Sequence, residues 1–434
     1  MAGATLTSTT TFSDVLKQVY EPVLQNLSVT ESELWDLFTE QESFEVTEGP
    51  DGKQINMAHV FSYGGGVGFM GENDYVYASQ DPNIKQSFIT IKQATATVEM
   101  SGRVMRRVRE GQAAFATWAE QILPERIKRL AFHKDRALMG AGNGILFQLN
   151  GTPGGATGIA INNAFGISGL GTPTYNMYLG DSLRFSSAAD GSGLRTGAAV
   201  VQNVHYAAST IDTDVLPTSS TSGDYVALGD ANVNGFGTKE NMGLLGIVDD
   251  GTVVPTFQGL SRTTYPLMQA QVVNAATANG GVFGGTFGEE LLEFSDRTAY
   301  EHGLGKPDVI VCSRSARAAY WKALKGDRRY NDPAGSYVGG LSKDGLRMIV
   351  GDRELGLKVS RKCPTSVAFM LQKDTLRMFR VGPGRWDDTS GSIWNRTIDT
   401  TGRKDAYYAV YIEEFEVASP APNRNVLITN LAAA

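Results

Sequence analysis

QINMAHVFSYGGGVGFMG, residues 54 to 71, and QSFITIKQATATVEM, residues 86 to 100, are extended stretches divided by glycines, and both precede QAAFATWAEQILPERIKRLAFHKDRALMG, residues 112 to 140. The chain leaves as a strand through Gln54 to Phe61, crosses Gly64, Gly65, Gly66, Gly68 and Gly71, and returns through Gln86 to Met100. The tip of this excursion is expected to carry little apolar content. A two-stranded ribbon cannot bury enough surface to stand alone in water. The arm therefore needs another surface to lie on, and a neighbouring copy of the same chain is one. That is the signature of an assembling protein rather than a soluble enzyme.

The segment from Gln112 to Met139 reads as one long amphipathic helix. Phe115, Trp118 and Ile122 mark its apolar stripe, which Ile127, Leu130, Ala131 and Leu138 continue beyond Pro124. At 1.5 Å per residue it spans about 42 Å, with a kink expected near the proline. Gly140 is expected to end it in the left-handed conformation. The glycine run Gly140-Ala141-Gly142-Asn143-Gly144 follows a helix and lacks a Lys-Ser/Thr, so it fails the phosphate-loop pattern.

Charge is uneven along the chain. Residues 1 to 50 hold nine acids against Lys17 alone, whereas residues 101 to 136 hold nine bases against four acids. An acidic arm and a basic helix are complementary surfaces; the plainer reading is two solvated helix faces. The N-terminal segment suggests two short helices, the first with Val15, Val19, Val23 and Leu27 and a break near Pro22. A Thr30 to Glu33 capping box then precedes Leu34, Trp35, Leu37 and Phe38. These large apolar residues have no evident local partner, which makes Trp35, Leu37 and Phe38 candidates for contact between subunits. Arg103, Arg106, Arg107 and Arg109, the basic run between excursion and helix, are the other candidates, with pairing to a neighbour's carboxylates favoured over contact with DNA.

Residues 174 to 242 change texture, with short alternating segments separated by Asp190-Gly191, Ser219 to Gly223 and Asp230 to Gly237. A small inserted all-β domain is expected there. The remainder reads as α/β: a helix over Thr286 to His302, a buried strand Asp308 to Cys312, a helix begun by Ser313, then strands at Leu346 to Val350, Leu357 to Ser360, Val367 to Gln372, Leu376 to Val381 and Ala406 to Val417. The fold class is α+β.

Several functions are disfavoured. A net charge of -7 argues against a dedicated nucleic-acid binder. Cys312 and Cys363 stand far apart with no CxxC spacing and read as small core residues in a reducing compartment. His59, His133, His205 and His302 lie in four different segments, so no metal site is expected, and no cofactor or catalytic constellation stands out. Adjacent carboxylates such as Glu413 and Glu414 read as a solvated edge, because neighbours on a strand point in opposite directions. No apolar run reaches membrane-spanning length, and the N-terminus lacks the order of a signal peptide.

Three stretches carry a resemblance: AFHKDRALMGAGNG from Ala131 to Gly144, GLLGIVDDG from Gly243 to Gly251, and PDVIVCS from Pro307 to Ser313. In that order, behind an acidic arm and an extended excursion, the chain resembles the tailed-bacteriophage major capsid proteins of the Hong Kong 97 (Johnson) fold over nearly its whole length. None of the three is a catalytic signature; their order makes the match specific. The resemblance implies an N-terminal arm over 1–47, an extended loop over 48–101, a peripheral domain with its spine helix over 102–173, the β insertion over 174–242, a mainly axial domain over 243–405, and a return to the peripheral domain over 406–434. It further implies self-assembly into hexamers and pentamers of an icosahedral head enclosing double-stranded DNA without sequence-specific binding. Portal, scaffolding and decoration proteins would be the partners, with no membrane involved, and the place would be the virion capsid, assembled in the host bacterial cytoplasm. The extended loop begins so early that an uncleaved chain with a separate scaffold is expected. Lys53, Lys85 and Lys92 lie in the loop, but no isopeptide partner is identified. An encapsulin-like cargo shell is the nearest alternative, and a carbohydrate-binding or hydrolytic enzyme using the β insertion is a more distant one.

Overall fold

The computed structural model describes residues 33–41, 46–49, 52–72, 74–104, 113–171, 173–323, 341–342, 345–350, 353–388, 391–399 and 402–432. The helices expected over Val15 to Leu27, together with Arg106, Arg107 and Arg109, lie outside them. The chain divides into two compact units, one built on Lys92–Arg136 and Arg380–Phe415, the other on Glu33–Ile91, Ala137–Phe379 and Glu416–Ala434.

In the first unit the long strand Gly402–Ala418 is the organising element. Lys92–Ser101 lies antiparallel to it, in register from Ala406 opposite Ser101 to Phe415 opposite Lys92. Arg385–Trp386 and Asn395–Asp399 also pair with it antiparallel. Alternation sends Val98, Met100, Ala409 and Phe415 to buried positions on one face. The helix Ala113–Met139 matches the expected span and runs through Pro124 without a break. Its C-terminal part, Phe132 and Asp135 to Met139, is buried, charged residues included: Asp135 and Arg136 are 2% and 1% exposed. A purely solvated polar face is therefore not what this helix presents. Gly140 follows the helix without a left-handed φ; the left-handed residues are Gly142 and Gly144, at +74° and +75°.

The second unit contains a closed six-stranded barrel. Its strands are Ile145–Leu149, Ile159–Asn162, Ser182–Ser186, Ala199–His205, Thr210–Thr213 and Tyr225–Leu228. Leu146, Phe147, Leu183, Phe185, Val201, Ile211 and Val226 fill its core, and closure leaves no strand edge open to pairing. The barrel is thus real but begins at Ile145, not near Thr174. The stretches ILFQL and IAIN, within the 102–173 range that the resemblance implies for the peripheral domain, are too short for periodicity to declare them strands. Entry and exit lie side by side: the Gly237 N–H donates to the Asn143 carbonyl at 3.1 Å, and a Cβ on Gly144 would meet the Gly235 carbonyl oxygen at 1.8 Å. Only glycine permits that approach.

Beyond the barrel, a seven-stranded mixed sheet runs in the order Gln271–Asn274, Val426–Thr429, Ala368–Leu371, Val309–Cys312, Arg353–Val359, Gly345–Val350, Leu341–Ser342. The helix Glu289–Gly303 buries Leu291, Leu292, Ser295 and Ala299. Arg314–Ala323 begins where expected, the Ser313 hydroxyl accepting the Ala316 N–H at 3.1 Å as an N-cap. Both cysteines are buried and unpaired by disulfide. The stretch re-entering after the barrel is held by Arg262, whose side chain is fully buried. Its guanidinium donates to Asp249 Oδ2 at 2.8 Å and to the carbonyls of Gly246, Ile247 and Met268 at 2.9, 2.9 and 3.0 Å. A buried charge is tolerable only when its donors are used in this way.

Candidate assembly surface

The excursion is three-stranded at its root. Val46–Gly49, Gly52–Ser62 and Asn83–Thr90 form one antiparallel sheet, and the returning chain divides at Ile91, so that Lys92–Ser101 leaves this sheet for the long strand of the other unit. At the root Ile55 and Ile89 are 2% and 3% exposed and pack with Phe379 and Ala418. The Phe88 N–H donates to the Gln258 carbonyl at 2.9 Å, and the rings of Phe61 and Tyr265 lie 4.8 Å apart. His59 sits in the same region with Nε2 2.8 Å from the Ser87 hydroxyl. Burial pushes its pKa below the ordinary histidine value, against the opposing pull of a hydrogen bond with the Pro420 backbone.

Towards the tip this burial disappears. Between the paired strands the two backbones stay close, a Cβ on Gly64 reaching within 2.1 Å of the Gln80 carbonyl oxygen. The Tyr77 hydroxyl donates to the Phe69 carbonyl at 3.0 Å, and the Asp74 carboxylate accepts the Gly71 N–H at 2.7 Å. Yet Tyr63, Val67, Phe69, Tyr75 and Val76 are 90%, 95%, 101%, 98% and 78% exposed. The expectation of an apolar-poor tip is therefore corrected. Glycines dilute the local hydrophobic average, while the aromatic and branched residues between them stand out as a patch of the kind that marks an interaction site.

The N-terminal candidates behave differently from expectation. Trp35–Leu37 is a 3-10 turn without a side-chain cap. The Glu33 carboxylate accepts the Arg361 N–H at 2.6 Å; Thr30, the other half of the expected capping box, lies outside the described residues. Leu37 and Phe38 are 3% and 4% exposed within this chain, and Trp35 is half-buried. Thr39–Gln41 adds in parallel to Arg377–Arg380, and Lys358 pairs with Asp36. The argument that these apolar residues lack a local partner fails, because a parallel strand pairing across more than three hundred residues leaves no trace in local sequence. Arg103 is exposed in a helical turn after Ser101.

Glu413 is the residue that sequence reasoning misplaced most. It is 4% exposed, its Oε2 lies 2.7 Å from Lys134 Nζ and its Oε1 3.2 Å from Arg380 Nη2. It ties the long strand to the helix, with Lys134 also 5.6 Å from the centre of the Phe415 ring. Among the described residues no cluster of three or more His, Cys, Asp or Glu could hold a metal ion, and no helix is long and apolar enough to cross a membrane.

No family model matches the chain, and no curated protein matches it either. Among solved structures, the cyanophage A-1(L) capsid asymmetric unit aligns over 98% of this chain and 99% of its own, with a TM-score of 0.50 at 12% identity. This chain has the Hong Kong 97 capsid fold. Two more distant alignments span similar lengths. Gordonia phage Cozz covers 100% of this chain and 97% of its own at TM-score 0.44 and 12% identity. The holo-SrpI encapsulin complex of Synechococcus elongatus PCC 7942 covers 99% and 96% at TM-score 0.42 and 9% identity. The barrel is inserted in this chain between Asn143 and Gly237.

Proposed function

We propose that this chain is a major capsid protein that self-assembles into hexamers and pentamers of a tailed-phage head enclosing double-stranded DNA. The observation that carries the reading is the excursion: a root packed within the chain and a tip whose tyrosines, valines and phenylalanine face solvent. Exposing that much apolar surface costs roughly 25 cal/mol per Å² relative to covering it. A second subunit removes the cost, and a closed shell does so for every copy at once. The capsid fold supports the same reading. The acidic N-terminal sequence and the basic run around Arg103 fit pairing between subunits, with a portal, a separate scaffold and the packaged DNA as further partners.

Electron microscopy of the purified chain, alone and co-expressed with a scaffolding protein, tests the reading together with a variant in which residues 64 to 80 become a short Gly/Ser turn. Closed shells from the native chain are expected, and a folded variant with unchanged thermal midpoint that forms none. Native chain that stays monomeric under both conditions overturns the proposal, as do normal shells from the variant. Shells filled with protein cargo rather than DNA would favour the encapsulin-like alternative.

A further inference from the structure

A cleft of about 590 Å³ opens between the start of Arg314–Ala323, the turn after Arg353–Val359, and Tyr175 at the approach to the third barrel strand. Arg314, Arg317, Arg361 and Lys362 line it, against Glu33 as the one carboxylate among the lining residues. Three cations more than anions in one concavity is a costly arrangement unless something negative occupies it. Among the described residues, two of the arginines have no carboxylate partner: Arg314, which is exposed, and Arg317, which is half-exposed. The Arg361 guanidinium lies over the ring of Tyr175, 4.7 Å from its centre, a contact that fixes its direction without neutralising it. Lys362 is 5% exposed and donates to the Tyr175 carbonyl. Glu33 accepts the Arg361 backbone N–H, and its single negative charge answers one of the four cations that line the cleft.

We infer that this cleft is a binding site for a phosphate group. Arginine forks match the oxygens of phosphate in bidentate fashion, and the hydroxyls of Ser315 and Thr365, which also line the cleft, offer the neutral donors that a multiply oxygenated anion uses. A carboxylate, with two oxygens and a single charge, answers less of that surplus. The phosphate can be free or part of a nucleic-acid backbone; both present the same tetrahedral oxyanion.

Calorimetric titration of the full chain with inorganic phosphate, with pyrophosphate and with a short DNA duplex, at constant ionic strength, tests this. Binding is expected, and the Arg314→Ala/Arg317→Ala double variant should weaken it by about tenfold or more, since each removes a charge-assisted hydrogen bond. Arg297→Ala, at a surface pair with Glu301 elsewhere, should leave it unchanged. If the alanine variant does not fold, Arg314→Lys/Arg317→Lys keeps the charge, loses the fork, and should still weaken binding several-fold. Competition between phosphate and duplex assigns the site to a backbone phosphate; phosphate binding without duplex binding assigns it to the free ion. Binding of none of the three probes, equal binding by native and variant chains, or binding of a poly-glutamate peptide but not of phosphate would overturn the inference.

Discussion

Glu413 and Glu414 are neighbours on one strand with opposite surroundings. Pleating sends Glu413 inward against Lys134 and Arg380 and leaves Glu414 half-exposed. Removing one partner of a buried pair leaves charge stranded in low dielectric. Lys134 and Arg380 keep 15% and 28% of their side-chain exposure, so water softens the loss. Glu413→Ala should cost about 3 kcal/mol, and Glu414→Ala no more than about 0.5 kcal/mol, read as shifts in urea midpoint at constant slope; equal shifts for the two would refute the assignment. His59 provides a pH signature. Its folded pKa is depressed by burial, so as pH falls the unfolded chain takes the proton first. Its contribution to stability is full above the usual histidine value of about 6.5 and is lost as pH drops towards the folded pKa, with a slope of at most about 1.4 kcal/mol per pH unit. Urea midpoints of native and His59→Gln chains between pH 8 and 5 should converge as pH falls; parallel curves would show that His59 does not titrate in this way. The cysteine reading holds at this scale too: burial drives the Cys312 thiol up to about 12, which makes both residues core rather than reactive groups.

At the scale of elements, the barrel boundary decides what can be removed. Excising residues 175 to 241 would take four barrel strands and strand Ile145–Leu149 and Ile159–Asn162 with their apolar faces bare. Excising 145 to 236 takes the barrel whole and joins points that already touch. A Gly/Ser linker replacing 145 to 236 should give soluble, cooperatively unfolding protein, while the shorter excision should aggregate. Soluble, protease-resistant protein from the shorter excision would mean that the barrel is not one folding unit. Helices were legible here: Ala113–Met139, Glu289–Gly303 and Arg314–Ala323 fall within a few residues of expectation, because their periodicity and the Ser313 cap are local signals. Short strands were legible where an apolar run stands between turn residues, as in Val309–Cys312, Ala368–Leu371 and Arg377–Arg380, whereas Ile145–Leu149 and Ile159–Asn162, directly behind the glycine turn of the helix, were not.

Across the whole molecule, the order of features along the chain was enough for the sequence alone to determine the α+β class, the excursion, the long helix, an inserted β module and the capsid fold to which they belong. Each of these is written in residues close together, as periodicity, glycine spacing and caps. What only the tertiary structure decided involves partners far apart in sequence. It folded Leu37 and Phe38 into this chain's own interior, split the returning arm at Ile91 between two sheets, drew Ile145–Leu149 into the barrel, buried Glu413 against Lys134, and gathered Arg314, Arg317 and Arg361 around one cleft. Burial and charge pairing of this kind depend on which distant segments meet, and a one-residue change of strand register exchanges the buried face for the solvated one, so no local pattern could have specified them.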